Sequence, residues 1–146
     1  MEDQILEKQQ IDFLKHGLEE EIAIYKAILD FSKNENRLLE KGAPLASVFA
    51  NINKKMEMVE KASTLDDSLK DLKHEWVEQQ HKGEDLPQEI VSLLREVENV
   101  LQETILLDEQ NNKKIMNLYR DGNIASKPLD IEQNRVLRAK HAYGNF

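Results

Sequence analysis

The chain contains no cysteine, so disulfides, thiol catalysis and zinc–thiolate sites are all excluded. Five glycines and three prolines in 146 residues leave few turn-formers, too few for a protein built of many short strands. Aromatic residues make up only 5%. No run of 18 apolar residues occurs, so membrane insertion is not expected. There is no glycine-rich phosphate loop and no Gly-x-Ser-x-Gly elbow, which removes the common nucleotide and acyl-transfer signatures. The opening Met-Glu-Asp-Gln is acidic and has no apolar core, so no secretory signal is expected and a cytoplasmic location is. Positive charge is in deficit, 20 Lys and Arg against 28 Asp and Glu, for a net charge of -8. Such a chain repels a phosphate backbone, and nucleic acid is not an expected partner.

What is present is 40% hydrophobic and 33% charged, with apolar residues spaced periodically. That composition belongs to long amphipathic helices and not to a disordered chain. The length suits one domain.

One stretch, from Asp85 to Gly122, is interrupted by no proline or glycine after Pro87. Asp85, Pro87 and Gln88 are helix-start residues, with Asp85 as N-cap, and Gly122 suits the C-cap. Ile90, Leu94, Val97, Leu101, Ile105, Ile115, Leu118 and Tyr119 form its stripe, over a helix of roughly 50 Å. Before it, Ile11, Leu14, Leu18, Ile22, Tyr25 and Leu29 step by three and four and predict a first helix over residues 3–41. Gly17 inside that pattern marks a break or a close helix contact. Gly42 and Pro44 punctuate the chain and make the next helix an antiparallel neighbour. The second helix, from Pro44 to about Gln80, carries Leu45, Val48, Ile52, Met56, Val59, then Leu65, Leu69, Leu72 and Trp76. Its spacing slips between Val59 and Leu65, which predicts a register shift or kink. The aromatic residues Tyr25 and Trp76 fall on the stripes and are expected in the core.

The expected fold is therefore all-α: three long antiparallel helices in an up-down-up, coiled-coil-like bundle over residues 1–122. A weakly ordered C-terminal segment follows over residues 123–146, in which a short helix from Ile131 to Ala142 is expected. That segment is basic (Lys127, Arg135, Arg138 and Lys140 against Asp130 and Glu132), a net of +2, so the first 122 residues carry -10.

Candidate chemistry is thin. His74, Glu78 and His81 can share one helix face, but a di-metal carboxylate bundle needs two Glu-x-x-His steps on different helices and this chain has one. They read as a solvated polar face, and no metal, no cofactor and no catalytic residue is expected. Carboxylates elsewhere are spaced as helix surfaces are, as in Glu57–Lys61. The end of the third helix differs. Its stripe turns polar at Asp108, Asn111 and Asn112 before Ile115, Leu118 and Tyr119 resume. One reading is a bundle that tapers, with these polar groups solvated. The other is a surface where burial runs out and another protein docks, together with the tail residues Val136 and Leu137.

Several segments together resemble the flagellar export chaperones of the FlgN type. The first helix carries Glu19-Glu20-Glu21-Ile22 with Tyr25 and Leu29. The second carries Lys54-Lys55-Met56 and then Leu69–Trp76. The third carries Leu106-Leu107-Asp108-Glu109-Gln110-Asn111-Asn112, followed by a tyrosine. The resemblance covers residues 1 to about 122. It implies a protein that binds the C-terminal regions of hook–filament junction subunits, keeps them soluble and unassembled, and brings them to the type III export gate. It also implies subunit contacts at Ile115, Leu118 and Tyr119, with Tyr119 as an export-gate contact. The chief alternative is a structural coiled-coil adaptor or oligomerisation module, and pairing of two bundles as a homodimer is compatible with either.

Overall fold

A computed structural model of the protein describes residues 8–81 and 87–121. It is an all-α bundle of three long helices, α1 (Lys8–Glu40), α2 (Leu45–His81) and α3 (Gln88–Arg120). The expected tail helix, Asp85 and Gly122 lie outside the described residues. Helix α1 is the middle element: it packs against both α2 and α3. The third helix is thus a flank.

The α1–α2 reversal is tight because Gly42 adopts φ +68, the left-handed conformation that costs glycine nothing. Ala43 N–H then donates to the Leu38 carbonyl at 2.9 Å and Gly42 N–H to Leu39 at 3.3 Å, which closes the end of α1 as a Schellman turn. Helix α3 begins after Pro87, whose carbonyl accepts from Ile90 and Val91 N–H. Pro87 holds the cap position expected for Asp85, and among the described residues no side chain caps the helix. A row of exposed ion pairs sets α1 and α3 parallel: Lys15–Glu89 at 2.7 Å, Lys26–Glu96 at 2.8 Å, Lys33–Glu103 at 3.8 Å and Glu40–Lys114 at 3.1 Å. Individually such pairs contribute little; as a row they mark the outer edge of the α1–α3 seam.

Three apolar layers fill the bundle. One end holds Leu14, Leu18, Trp76 and Ile90. The middle holds Ile22, Tyr25, Ile28, Val59, Ala62, Val97 and Leu101. The other end holds Val48, Ile52 and Ile115. The buried positions alternate four and three apart: 14, 18, 21, 25, 28, 32, 35 on α1, and 48, 52, 55, 59, 62, 66, 69 on α2. This is the heptad spacing of coiled-coil packing.

One expectation changes here and one open alternative is decided. Helix α2 is continuous from Leu45 to His81, and its buried positions keep one register through Val59, Ala62, Asp66 and Leu69, with no register shift. The apparent slip arose because Lys55, Ala62 and Asp66 occupy core positions that a search for large apolar residues passes over. Gly17 is a close contact and not a break: a Cβ built there would lie 2.5 Å from Leu69 Cδ2. Leu69 is fully buried and has little room to move. Gly17→Ala should therefore destabilise the protein by about 1–2 kcal/mol, overpacking outweighing the roughly 1 kcal/mol gain in helix propensity. In chemical denaturation, Leu69→Ala should then cost less in the Gly17→Ala background than in the natural chain.

Candidate protein-binding groove

Helices α2 and α3 are not close neighbours. Among the described residues no Cα of α2 lies within 8 Å of a Cα of α3, so the two meet only through side chains. Directly packed helices have axes 8–10 Å apart and share many approaches of that length. The α2–α3 side is thus the widest face of the bundle, a candidate groove closed below by side chains such as Val59, Ala62, Val97 and Leu101.

Helical phase assigns its walls. The ion pairs to α1 use Glu89, Glu96, Glu103 and Lys114, which mark one edge of α3. Val91, Leu94, Ile105, Asn112, Met116 and Tyr119 lie on the other edge, toward α2. On α2 the matching stripe is Phe49, Met56, Ser63, His74 and Val77. Phe49, Met56 and Tyr119 are half-buried against the Val48–Ile52–Ile115 layer. At the opposite end, Leu14, Trp76, Val77, His74 and Leu94 line a cavity of about 300 Å³. Val77 is 47% exposed and Met116 36%. Asn112 Oδ1, on the same stripe, is buried with no hydrogen-bond partner among the described residues. The walls are mixed: Ser63, Lys70 and His74 on α2 and Glu98 and Asn112 on α3 interrupt the apolar residues, Glu78 and Lys73 line the cavity, and Asp67, Arg95 and Glu109 are exposed beside them.

The residues picked from sequence separate. Ile115 is 2% exposed and sits inside the bundle against Val48 and Ile52. Leu118 and Tyr119 are half-buried at the groove's upper end. Val136 and Leu137 lie outside the described residues.

The polar run at Asp108 and Asn111 is not solvated. Asp108 is 8% exposed and Asn111 fully buried, and both join a polar layer spanning all three helices. Lys55 Nζ from α2 sits 3.0 Å from Glu35 Oε1 of α1 and 2.8 Å from Asp108 Oδ1 of α3. The Ser32 hydroxyl donates to the same Asp108 oxygen at 2.7 Å. Asn111 donates to the Ser32 carbonyl at 3.0 Å, and Asn51 donates to the Phe31 carbonyl at 2.8 Å. The expectation that burial runs out at residue 108 is overturned. The stripe turns polar because it meets polar partners on both other helices, and apolar packing resumes beyond it at Ile115.

A second buried cluster joins α1 to α2. Lys73 Nζ lies 2.9 Å from Glu21 Oε1 and 3.1 Å from Oε2, with hydrogen-bond geometry only to Oε2. It also pairs with Asp66, and the Tyr25 hydroxyl reaches Glu21 Oε2 at 3.5 Å. Burial, which penalises the carboxylate more than Lys73 favours it, raises Glu21 to about 7. In each cluster one lysine of α2 faces two carboxylates. Nothing in sequence separates Lys55 from its exposed neighbour Lys54 except heptad phase, and that phase is the signal that would have found the layer.

No group of three or more His, Asp or Glu side chains able to hold a metal is found among the described residues; the side chain of His81 lies outside them. No described helix is long and apolar enough to cross a membrane. Comparison with protein-family models, curated proteins and solved structures returns no match.

Proposed function

We propose that the chain is a cytoplasmic chaperone of protein export that acts by binding and carries out no reaction chemistry. It binds flagellar hook–filament junction subunits, keeps them soluble and unassembled, and brings them to the type III export gate. The observation that carries this reading is the wide α2–α3 face, where the backbones stay apart and Phe49, Met56 and Tyr119 are only half-buried. A groove of this kind takes the apolar face of a helix, and helical subunit termini have such faces. Exposed Asp67, Glu98 and Glu109 beside this face would favour basic residues of the bound segment, and Lys70 and Arg95 would pair with acidic ones at fixed points. Likeness of the three helices to FlgN-type segments supports the same assignment. In this reading Tyr119, at the end of the groove, is the residue offered to the export gate.

Co-expression with a junction subunit from the same genome tests the reading. The subunit should co-purify, and Leu118→Asp with Tyr119→Asp should reduce recovery roughly a hundredfold, the loss expected when central apolar anchors worth about 2–4 kcal/mol are removed. Helix content by circular dichroism should be unchanged, because both side chains are only half-buried. Failure of the natural chain to retain any secreted subunit would sink the proposal. A symmetric oligomer that hides Tyr119, seen by solution mass, would favour the adaptor instead.

A further inference from the structure

We propose that the cavity beside Trp76 binds a small neutral molecule, an apolar body carrying one acceptor oxygen that takes the Trp76 indole N–H. The proposal concerns this cavity alone and holds whether or not the chain carries an export subunit.

Each helix gives the cavity one inner wall: Leu14 from α1, Trp76 from α2 and Leu94 from α3. His74, Val77 and Glu78, all exposed, stand at its mouth. An apolar cavity of about 150 Å³ takes benzene, so one of about 300 Å³ has room for a substituted ring of roughly ten heavy atoms. Trp76 supplies the polar requirement. It is 2% exposed, and its Nε1 is buried with no hydrogen-bond partner among the described residues. Buried indoles ordinarily find a partner, and a donor left unpaired is costly. The side chains packed around the ring, Leu14, Leu18, Leu72, Ile90 and Leu94, are aliphatic and offer no acceptor. The cavity lies against the same ring, and an oxygen entering it can accept the N–H. A lone water suits the place poorly, since it needs two to four polar partners and the inner walls offer only the indole. Charge selects a neutral ligand. The ionisable lining groups are Lys73, His74 and Glu78. Lys73 is already shared between Glu21 and Asp66. His74 and Glu78 are exposed, so neither offers a desolvated charge. A charged ligand would lose its hydration against the aliphatic walls without a partner there.

Trp76 is the sole tryptophan, so a single indole N–H resonance in isotope-labelled full-length protein reports on the cavity. Acetophenone and α-methylstyrene are the test ligands. They share a shape, with a carbonyl oxygen in one where the other has a methylene. Acetophenone should bind at about millimolar concentration, the scale open to a ligand of this size, and move the indole proton downfield. The methylene compound should bind without that shift. Trp76→Phe keeps an aromatic wall and removes the donor. It should lower the ratio of acetophenone to α-methylstyrene affinity roughly tenfold, measured on the ligand signals. Changes in cavity shape act on both compounds and cancel in that ratio. Val77 is 47% exposed, so Val77→Phe should leave the fold intact by circular dichroism and weaken both compounds together by narrowing the mouth. No binding of either compound up to its solubility would overturn the proposal. So would binding that leaves the indole proton in place, or an affinity ratio unchanged in Trp76→Phe. Capture of a junction subunit is read separately by co-purification, so failure here leaves the export reading standing, and the reverse.

Discussion

Lys55→Met should destabilise the protein by about 3–5 kcal/mol, the cost of stranding buried carboxylates without their cation. Lys55 is 1% exposed, Glu35 not at all, and Asp108 11% by side chain. Both acids share that one ammonium, at 3.0 and 2.8 Å. Methionine fills much of the lysine's volume but supplies no donor. Glu35 loses the ammonium at 3.0 Å, and Asp108 keeps the Ser32 hydroxyl at 2.7 Å. Urea midpoints at neutral pH measure the loss. Ser32→Ala should cost only about 1 kcal/mol, the usual scale for one neutral hydrogen bond. Changing Lys55, Glu35 and Asp108 together to apolar residues should recover most of the lost stability, since a buried ion cluster gains little over well-packed hydrophobic side chains. An unchanged midpoint for Lys55→Met alone would mean that water enters the layer.

The layer bears on the groove as well as on stability. Between α2 and α3 the backbones stay apart, so the third helix has no tight seam on that side to fix its height. Asp108 and Asn111 fix it instead: a shift of one heptad would bury each opposite an apolar side chain. Polar residues at heptad core positions act this way in coiled coils, setting register at some cost in stability. The bundle can therefore hold an open groove without α3 sliding along α1.

Most of the architecture is legible from apolar spacing alone. Helix number, the Gly42 reversal, and the core placement of Tyr25 and Trp76 all follow from where large apolar residues fall and where glycine and proline interrupt them. The ionic layers do not. Lys55, Glu35, Asp66 and Lys73 look like surface residues because charge is ordinarily solvated, and only pairing makes their burial tolerable. Counting them as surface produced both errors, the register shift in α2 and the early end of burial in α3. The groove lies further from sequence still. It depends on how far apart α2 and α3 stand, which no single stripe records. Leu118 and Tyr119 reached its edge through their position at the end of the stripe, whereas Ile115, three residues earlier, turned inward.

Glu21 should make stability depend on pH in the opposite sense to ordinary acid denaturation. Its carboxyl, ordinarily at 4.5, is raised to about 7 in the folded chain, mainly by burial. Lys73 opposes the shift and Asp66 adds to it, since one ammonium already serves Asp66. Below 4.5 the group is protonated in both states and contributes no penalty. Between 4.5 and 7 the unfolded chain releases the proton while the folded chain keeps it, so stability falls as pH rises. Above 7 both states are ionised and the penalty is constant, on the order of 3 kcal/mol at 1.36 kcal/mol per unit. Glu21→Gln keeps the shape and removes the titration, leaving Lys73 to Asp66. Relative to the natural chain, that variant should gain about 3 kcal/mol between pH 4 and pH 8, measured as the difference between two sets of urea unfolding curves. Other titrating groups are common to both proteins and cancel in the difference. A difference that stays flat across that range would mean that Glu21 is ionised in the folded protein at pH 5, with Lys73 compensating its burial in full.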